Sequence, residues 1–132
     1  MEDMHISLIS TAVSGLIALW LGIRCGRVRM KEKVMHGDGG NVLLLRRMRA
    51  QSNFTEYAPF ALAMIIVLDL TGHDGWLLGL TALSFLIGRV LHPLGMDAEG
   101  EHWGRMIGTL LTMLTLIVLS GMALVAVYQQ FG

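Results

Sequence analysis

The sequence predicts an all-α integral membrane protein that folds as a bundle of four transmembrane helices. The chain has 132 residues, of which 54% are hydrophobic and only 15% are charged, and its mean hydropathy is +0.60. An average soluble domain contains fewer apolar and more charged residues. Four apolar runs account for the excess, and short polar connections separate them. Short connections favour antiparallel neighbours, so we expect residues 1–132 to form one domain of four packed helices.

The predicted spans cover about residues 6–24, 50–71, 76–92 and 105–128. A helix needs roughly 20 mostly apolar residues to cross the hydrocarbon core of a bilayer. The first and fourth runs reach this length by themselves. The second reaches it only with polar residues at its start, and the third is marginal because charged groups end it. The opening Met1-Glu2-Asp3 is acidic where a secretory signal would be basic, so we interpret the first run as a retained span.

The basic residues are concentrated in two connections, although the formal net charge is zero. Eight of the ten Lys and Arg residues lie between the first and second runs, and Arg89 and Arg105 flank the third connection. By the positive-inside rule, these two connections face the cytoplasm and both termini face the opposite side. No nucleic-acid-binding motif accompanies the basic residues, so we expect no nucleic-acid partner.

Two connections carry local structural signals. The run Gly37-Asp38-Gly39-Gly40 is the strongest helix breaker of the chain, and Asn41 after it predicts an N-cap for a helix that continues into the second span. Pro59 removes a hydrogen bond from that span, which predicts a kink or a loosened turn there; the equal alternative is that a membrane helix simply tolerates proline better than a soluble one does. The third connection, residues 92–104, has no metal-ligand spacing, and we expect a solvated loop without a metal. Its polar side chains include Asp97, Glu99, Glu101 and His102.

A polar stripe at the start of the second span is the most informative feature of the sequence. Arg49, Asn53 and Glu56 are spaced at i, i+4 and i+7, which places a cation, an amide and a carboxylate on one narrow face of a helix. Spanning a bilayer requires none of these groups. Ionisable side chains in a membrane segment are costly and indicate a functional site.

The antiparallel arrangement places further basic residues at the depth of this stripe. They are Arg29 near the end of the first span, Arg89 and His92 at the end of the third, and Arg105 at the start of the fourth. Together with the stripe they predict a cationic pocket wall at the cytoplasmic membrane boundary. Its ligand carries carboxylates for the arginines and an ammonium for Glu56, as an amino-acid-like or peptide-like molecule does.

A structural alternative explains each residue by itself. In it, Arg49 pairs with Glu56 or Glu32. The other arginines contact lipid phosphates, and His92 caps a helix end. This alternative explains the set less well, because lipid anchoring requires neither Asn53 nor a carboxylate inside the membrane.

The pattern Arg49-x-x-x-Asn53-x-x-Glu56-Tyr57, followed by Pro59, resembles the second-helix signature of the MAPEG superfamily, the membrane-associated proteins in eicosanoid and glutathione metabolism. The sequence Gly88-Arg89-Val90-Leu91-His92 resembles the third-helix end of the prostaglandin E synthase branch. Arg105 lies at the same separation from this histidine as the catalytic arginine of the family. The glycine-rich turn resembles that of small bacterial members, and the resemblance covers essentially the whole chain.

The resemblance implies a homotrimer in a bacterial inner membrane that binds glutathione as a co-substrate between subunits, on the cytoplasmic side. Arg105 is the implied catalytic residue, which stabilises the thiolate for conjugation to a lipophilic electrophile or for reduction of a peroxide. The implied binding residues are Arg29 and Arg49 for the carboxylates, Asn53 and Glu56 for the γ-glutamyl end, and Tyr57, Arg89 and His92 in the same site.

Departures from the pattern favour a general glutathione transferase over a prostaglandin synthase. They are Met96 in place of a pocket tyrosine, Met106 in place of a serine and Ser52 in place of an arginine. Two other classes of protein are alternatives: a non-catalytic membrane lipid- or ligand-binding protein of the same superfamily, and a small four-span exporter. The exporter class requires a carboxylate in its first span, and residues 6–23 contain none, so we rank it last.

Overall fold

The computed structural model of the protein describes residues 4–131 and consists of four α-helices. In chain order, these are α1 (His5–Glu32), α2 (Val42–Leu70), α3 (Trp76–Met96) and α4 (Trp103–Phe131). Each is long and apolar enough to cross a membrane, so the prediction of an all-α bundle of four helices that can span a membrane is confirmed. Residues 1–3, which distinguish the first span from a secretory signal, lie outside the described residues.

The helices extend beyond the predicted spans at the end of the bundle that carries the α1–α2 and α3–α4 connections, which we call the polar end. α1 continues to Glu32, beyond residue 24 where the predicted span ends, and α2 begins at Val42, before residue 50 where the predicted span starts. Lys and Arg are good helix formers, so a helix that leaves an apolar segment continues through them. α3 continues through Pro93, which limits the third connection to residues 97–102.

The α1–α2 connection has the turn that the sequence predicts. All three glycines within residues 37–40 adopt positive φ angles, between 57° and 76°, which residues with a Cβ rarely adopt. Asn41 then caps α2, because its Oδ1 accepts a hydrogen bond from the Leu44 backbone N–H at 2.9 Å. α2 continues from this cap through Pro59 as one uninterrupted helix, as predicted for the entry into the membrane segment.

Contacts between helix ends show that α1 is antiparallel to α2 and parallel to α3. The backbone N–H of Ser7, at the start of α1, donates to Asp69 at the end of α2. The guanidinium of Arg24, near the end of α1, donates to the carbonyl of Pro93, near the end of α3. α2 and α3 contact each other and both outer helices, whereas α1 and α4 do not contact each other within residues 4–131.

Both the interior and the outer surface of the bundle are apolar. Residues from all four helices form the main core, among them Leu21, Ala61, Phe85 and Leu119. Large apolar side chains also cover the outside, where Leu124, for example, is 71% exposed. Lipid solvates such outer faces, so a helix that is apolar all round is typical of a membrane bundle.

Asp69 caps α1 from another helix. The N-cap residue of α1, Met4, offers no side-chain hydrogen bond, whereas Asp69 Oδ2 accepts from the Ser7 backbone N–H at 2.8 Å. The first N–H groups of a helix have no partner within it, and a carboxylate at this end also interacts favourably with the helix dipole. Asp69 is 2% exposed, so bulk water does not replace this contact. The bond ties the start of α1 to the end of α2.

We expect Asp69→Ala to lower the free energy of unfolding by about 1 to 2 kcal/mol, the usual loss for a helix cap. Equilibrium unfolding in mixed detergent micelles, followed by far-UV circular dichroism, measures the change. Asp74→Ala is the control, because it removes an exposed carboxylate from the α2–α3 turn. Equal stability of the two variants would contradict the capping role.

Candidate functional site

Arg89 lies in the interior of the bundle, 2% exposed, and connects three helices. Its Nη1 donates to Asn53 Oδ1 on α2 at 2.8 Å, and its Nη2 donates to the Gly108 carbonyl on α4 at 3.4 Å. A guanidinium only donates hydrogen bonds, so the Asn53 oxygen faces Arg89. The Asn53 amide N–H groups form no hydrogen bond with any other described residue.

α3 and α4 approach each other at glycines. A Cβ on Gly108 would lie 2.6 Å from the His92 backbone nitrogen and 2.7 Å from the Gly88 carbonyl oxygen. A Cβ on Gly95 would overlap the backbone nitrogen of Arg105. Small residues allow membrane helices to pack with their backbones close together. This crossing therefore holds the start of α4, with Arg105, against the last turn of α3.

His92 is buried inside this crossing. α3 continues for one further turn to Met96, so the alternative in which His92 caps a helix end is wrong. Its Nδ1 is buried and has no hydrogen-bond partner among residues 4–131. Arg89 and Arg105 both lie close enough to act electrostatically on its ring. The structure thus brings together these three predicted site residues from α3 and α4.

The three residues of the polar stripe of α2 differ in burial. Asn53 is half-buried and contacts Arg89, whereas Arg49 and Glu56 are exposed on the outside of the bundle. Neither Arg49 nor Glu56 forms a side-chain hydrogen bond or an ion pair with another residue in the described part of the chain. The alternative in which Arg49 pairs with Glu56 or Glu32 is therefore wrong.

Two other predicted binding residues lie in different surroundings. Tyr57 is half-buried and close enough to Arg89 for an electrostatic interaction. Arg29 donates from Nη1 to the Gly37 carbonyl at 2.7 Å, and its Nη2 lies 3.4 Å from Met48 Sδ. Within one chain, Arg29 therefore stabilises the α1–α2 connection and is not brought to the residues around Arg89.

Arg105 is exposed and forms no side-chain hydrogen bond or ion pair with the other described residues. It borders a groove of about 660 Å³ along the outer face of α4. Met106, Leu110 and Met113 line this groove at i, i+4 and i+7 spacing, and Glu101 lines its polar edge. The groove therefore places an apolar floor next to a free guanidinium, where it can hold an apolar molecule beside a cation.

A cluster of arginines around Asp97 was missed by sequence reasoning. Arg24 and Arg47 form ion pairs with the Asp97 carboxylate at 2.5 and 3.1 Å. Arg46 donates to the Asp97 backbone carbonyl at 3.3 Å. The prediction of a solvated loop is therefore wrong for Asp97, because α3 ends beside it and carries it against α1 and α2. These pairs join residues at least 50 positions apart, so no local sequence pattern indicates them. The one available signal was that the arginines and Asp97 are expected at the same depth in the membrane.

The helices and contacts define a four-helix membrane protein with a polar end packed through glycines. A model of the MAPEG family matches residues 7–125, and the chain belongs to this family. Over 100 residues the chain is 27% identical to the inner membrane protein YecN of Escherichia coli strain K12, with 76% of each chain covered. YecN of Escherichia coli O6:H1 aligns with the same identity and coverage. The family resemblance of the sequence is confirmed.

We expect Asn53→Ala to destabilise the protein by about 1 to 3 kcal/mol, because it leaves a buried guanidinium N–H without an acceptor. Asn53→Asp retains an oxygen at this position and is expected to retain most of the stability. Equilibrium unfolding in mixed detergent micelles compares the two variants. Equal losses of unfolding free energy in the two variants would show that the Asn53 oxygen does not stabilise the protein through Arg89.

We expect Gly108→Ala to destabilise the protein by about 1 to 3 kcal/mol, since its Cβ overlaps the α3 backbone and forces the helices apart. Gly121→Ala on the same helix is the matched control, because no neighbour lies within 4 Å of the added Cβ. The control is expected to be neutral or slightly stabilising. The close α3–α4 contact would be refuted if both substitutions had the same effect on unfolding.

Proposed function

We propose that the protein is a membrane-bound glutathione transferase, which activates the glutathione thiolate for attack on lipophilic electrophiles. The observation that carries this proposal is that three charged side chains have no side-chain partner within the described chain: Arg49 and Arg105 at the polar end and Glu56 in the middle of α2. Unpaired charges in membrane helices indicate a ligand or a second subunit. Glutathione offers partners for both signs of charge, because it carries two carboxylates, an ammonium and a thiol.

The α2 stripe recognises the charged groups of glutathione. Arg49 binds a carboxylate through a bidentate pair, and Glu56 binds the ammonium. Asn53, whose oxygen is held by Arg89, donates its amide N–H groups to the γ-glutamyl end. Tyr57 follows Glu56 along the chain and lines the same site.

The proposed site is formed between subunits of a homotrimer. One chain supplies only one wall, because Arg49 and Glu56 are exposed on it. Arg29 completes the binding of the carboxylates from a neighbouring subunit, since it does not reach the stripe of its own chain. His92 lies in the same site, close enough to Arg89 and Arg105 to interact with both electrostatically.

The polar end faces the cytoplasm in this proposal, and both termini face the other side. The excess of Lys and Arg in the connections of the polar end supports this orientation. The relatives are named as inner membrane proteins, which supports the same membrane for this chain.

Arg105 stabilises the glutathione thiolate. A free thiol has a pKa near 8.5, and lowering it by about two units requires roughly 2.7 kcal/mol of preferential thiolate stabilisation. One well-placed guanidinium in a partly dry site supplies an interaction of this size. The thiolate forms a bond to the electrophilic carbon, the leaving group departs with its electron pair, and the thiol proton passes to solvent.

The groove beside Arg105 accepts the electrophile. Its apolar floor of Met106, Leu110 and Met113 suits a lipid-soluble molecule that enters from the bilayer. If the electrophile is a hydroperoxide, two glutathione molecules are oxidised to the disulfide, and the hydroperoxide is reduced to an alcohol and water.

A non-catalytic lipid- or ligand-binding protein of the same superfamily is the second candidate. The same apolar groove of about 660 Å³ favours this candidate, because an apolar groove binds a lipid without any need for catalysis. The two candidate functions differ in their need for Arg105: the transferase requires its charge, whereas binding of a purely apolar ligand does not.

Turnover of glutathione with chlorodinitrobenzene by the purified protein tests the proposal. We expect Arg105→Ala to lower kcat/KM by about 100-fold, the equivalent of 2.7 kcal/mol, and to shift the pH profile upward because the thiolate forms less readily. Arg105→Lys is expected to restore part of the activity. Glu56→Gln is expected to raise the KM for glutathione with a smaller change in kcat.

Lys31→Ala is the control, because it removes an exposed basic side chain of α1 that no proposed role involves. Isothermal titration with glutathione is measured in parallel. A wild-type protein that neither binds glutathione nor turns over would refute the transferase. Binding without turnover would favour the non-catalytic candidate.

A further inference from the structure

Asp97 neutralises arginines that come from two helices. Its carboxylate pairs with Arg24 of α1 at 2.5 Å and with Arg47 of α2 at 3.1 Å. The Nε of Arg47 also donates to the other carboxylate oxygen at 3.4 Å, so this pair is bidentate. Among residues 4–131, no other carboxylate pairs with an arginine. The charge of Asp97 is thus the one anionic contact that this cluster has in the described chain.

The same arginine cluster holds the backbone at the end of α3. Arg24 donates to the Pro93 carbonyl at 3.4 Å, and Arg46 donates to the Asp97 carbonyl at 3.3 Å. The last carbonyls of a helix lack partners within it, and cations near them interact favourably with the helix dipole. The last turn of α3 is therefore fixed to α1 and α2 through both its backbone and its side chain.

The last turn of α3 also contacts the start of α4. Gly95, two residues before Asp97, packs so closely on Arg105 that a Cβ would overlap the Arg105 backbone nitrogen. Arg46 and Arg105 line the same small cavity, of about 300 Å³, beside the α3–α4 connection. A displacement of this turn therefore displaces the backbone of Arg105.

We propose that Asp97 is a positioning residue for Arg105, because its pairs with Arg24 and Arg47 fix the turn of α3 against which Arg105 packs. This inference rests on the proposed function, which gives Arg105 its role at the thiolate. Without the Asp97 charge, Arg24 and Arg47 lose their carboxylate and repel each other. A misplacement of about 1 Å at a catalytic group lowers the rate by up to about 100-fold.

Asp97→Asn tests the inference, because it removes the charge and keeps the size of the side chain. We expect kcat/KM for glutathione to fall by about 10- to 100-fold, with an upward shift of the pH profile like that of Arg105→Ala. Asp97→Glu is expected to restore most of the activity. Asp74→Asn, an exposed carboxylate at the opposite end of the bundle, is the matched control and is expected to match wild type. A loss of activity with an unmoved pH profile indicates a merely structural role and overturns the inference.

A double variant separates positioning from independent effects. If Asp97 acts through Arg105, the combination of Asp97→Asn with Arg105→Ala is as slow as Arg105→Ala alone, within about 2-fold. If the two substitutions act independently, their fold-losses in kcat/KM multiply in the double variant, and that result overturns the inference.

A measurement without turnover keeps this inference separable from the proposed function. In a background with Trp20→Phe and Trp76→Phe, the single remaining tryptophan is Trp103 at the start of α4. If Trp103 has a lower fluorescence anisotropy in the Asp97→Asn variant than in the same background with Asp97, the inference is supported. Unchanged anisotropy overturns the inference, whatever the enzymatic activity of the variant. If the wild type lacks glutathione binding and turnover, the proposed function fails, and the anisotropy alone decides whether Asp97 orders this turn.

Discussion

The buried guanidinium of Arg89 is the constraint on which the rest of the structure depends. An arginine inside a membrane bundle is stable only if its N–H groups find acceptors there. Asn53 on α2 and the Gly108 carbonyl on α4 supply two of them, so one side chain determines how close both helices lie to α3. Gly108 serves a second purpose, because only a residue without a Cβ allows this approach next to His92. The hydrogen bonds of Arg89 and the close packing at Gly108 therefore depend on each other.

This arrangement separates the polar residues into an inner and an outer group. Arg89 is buried and bonds to two other helices, and His92 is buried where α4 packs on α3, while Arg49, Glu56 and Arg105 are exposed and unpaired in the described chain. Membrane helices have little hydrophobic drive to associate with each other, so close packing and hydrogen bonds carry the association. The inner group supplies both. The outer group is then free for a ligand, because the fold does not use it.

Local signals in the sequence predicted much of the fold, but they could not predict contacts between residues that are far apart in the chain. The glycine turn at residues 37–40 and the Asn41 cap follow from backbone preferences, and the helical period predicted the stripe. The bond between Ser7 and Asp69 joins residues 62 positions apart, and no spacing rule indicates it. The Asp97 cluster was missed for the same reason. The helices extend beyond the predicted spans, because a basic residue ends the apolar segment without ending the helix.

In the proposed trimer, assembly and glutathione binding depend on the same side chains. Arg49 and Glu56 leave the bundle on a face of α2 that the remaining described helices leave exposed. In a single chain these charges lie on the outer face of the bundle. A charge at the centre of a membrane helix costs about 2.5 to 3.5 kcal/mol on insertion scales, and a long side chain near a helix end reaches the interface at a lower cost. In the proposed trimer, a second subunit covers this face and bound glutathione compensates the charges that remain. A ligand that binds only the assembled form also stabilises it, so glutathione and subunit association are thermodynamically linked through Arg49 and Glu56.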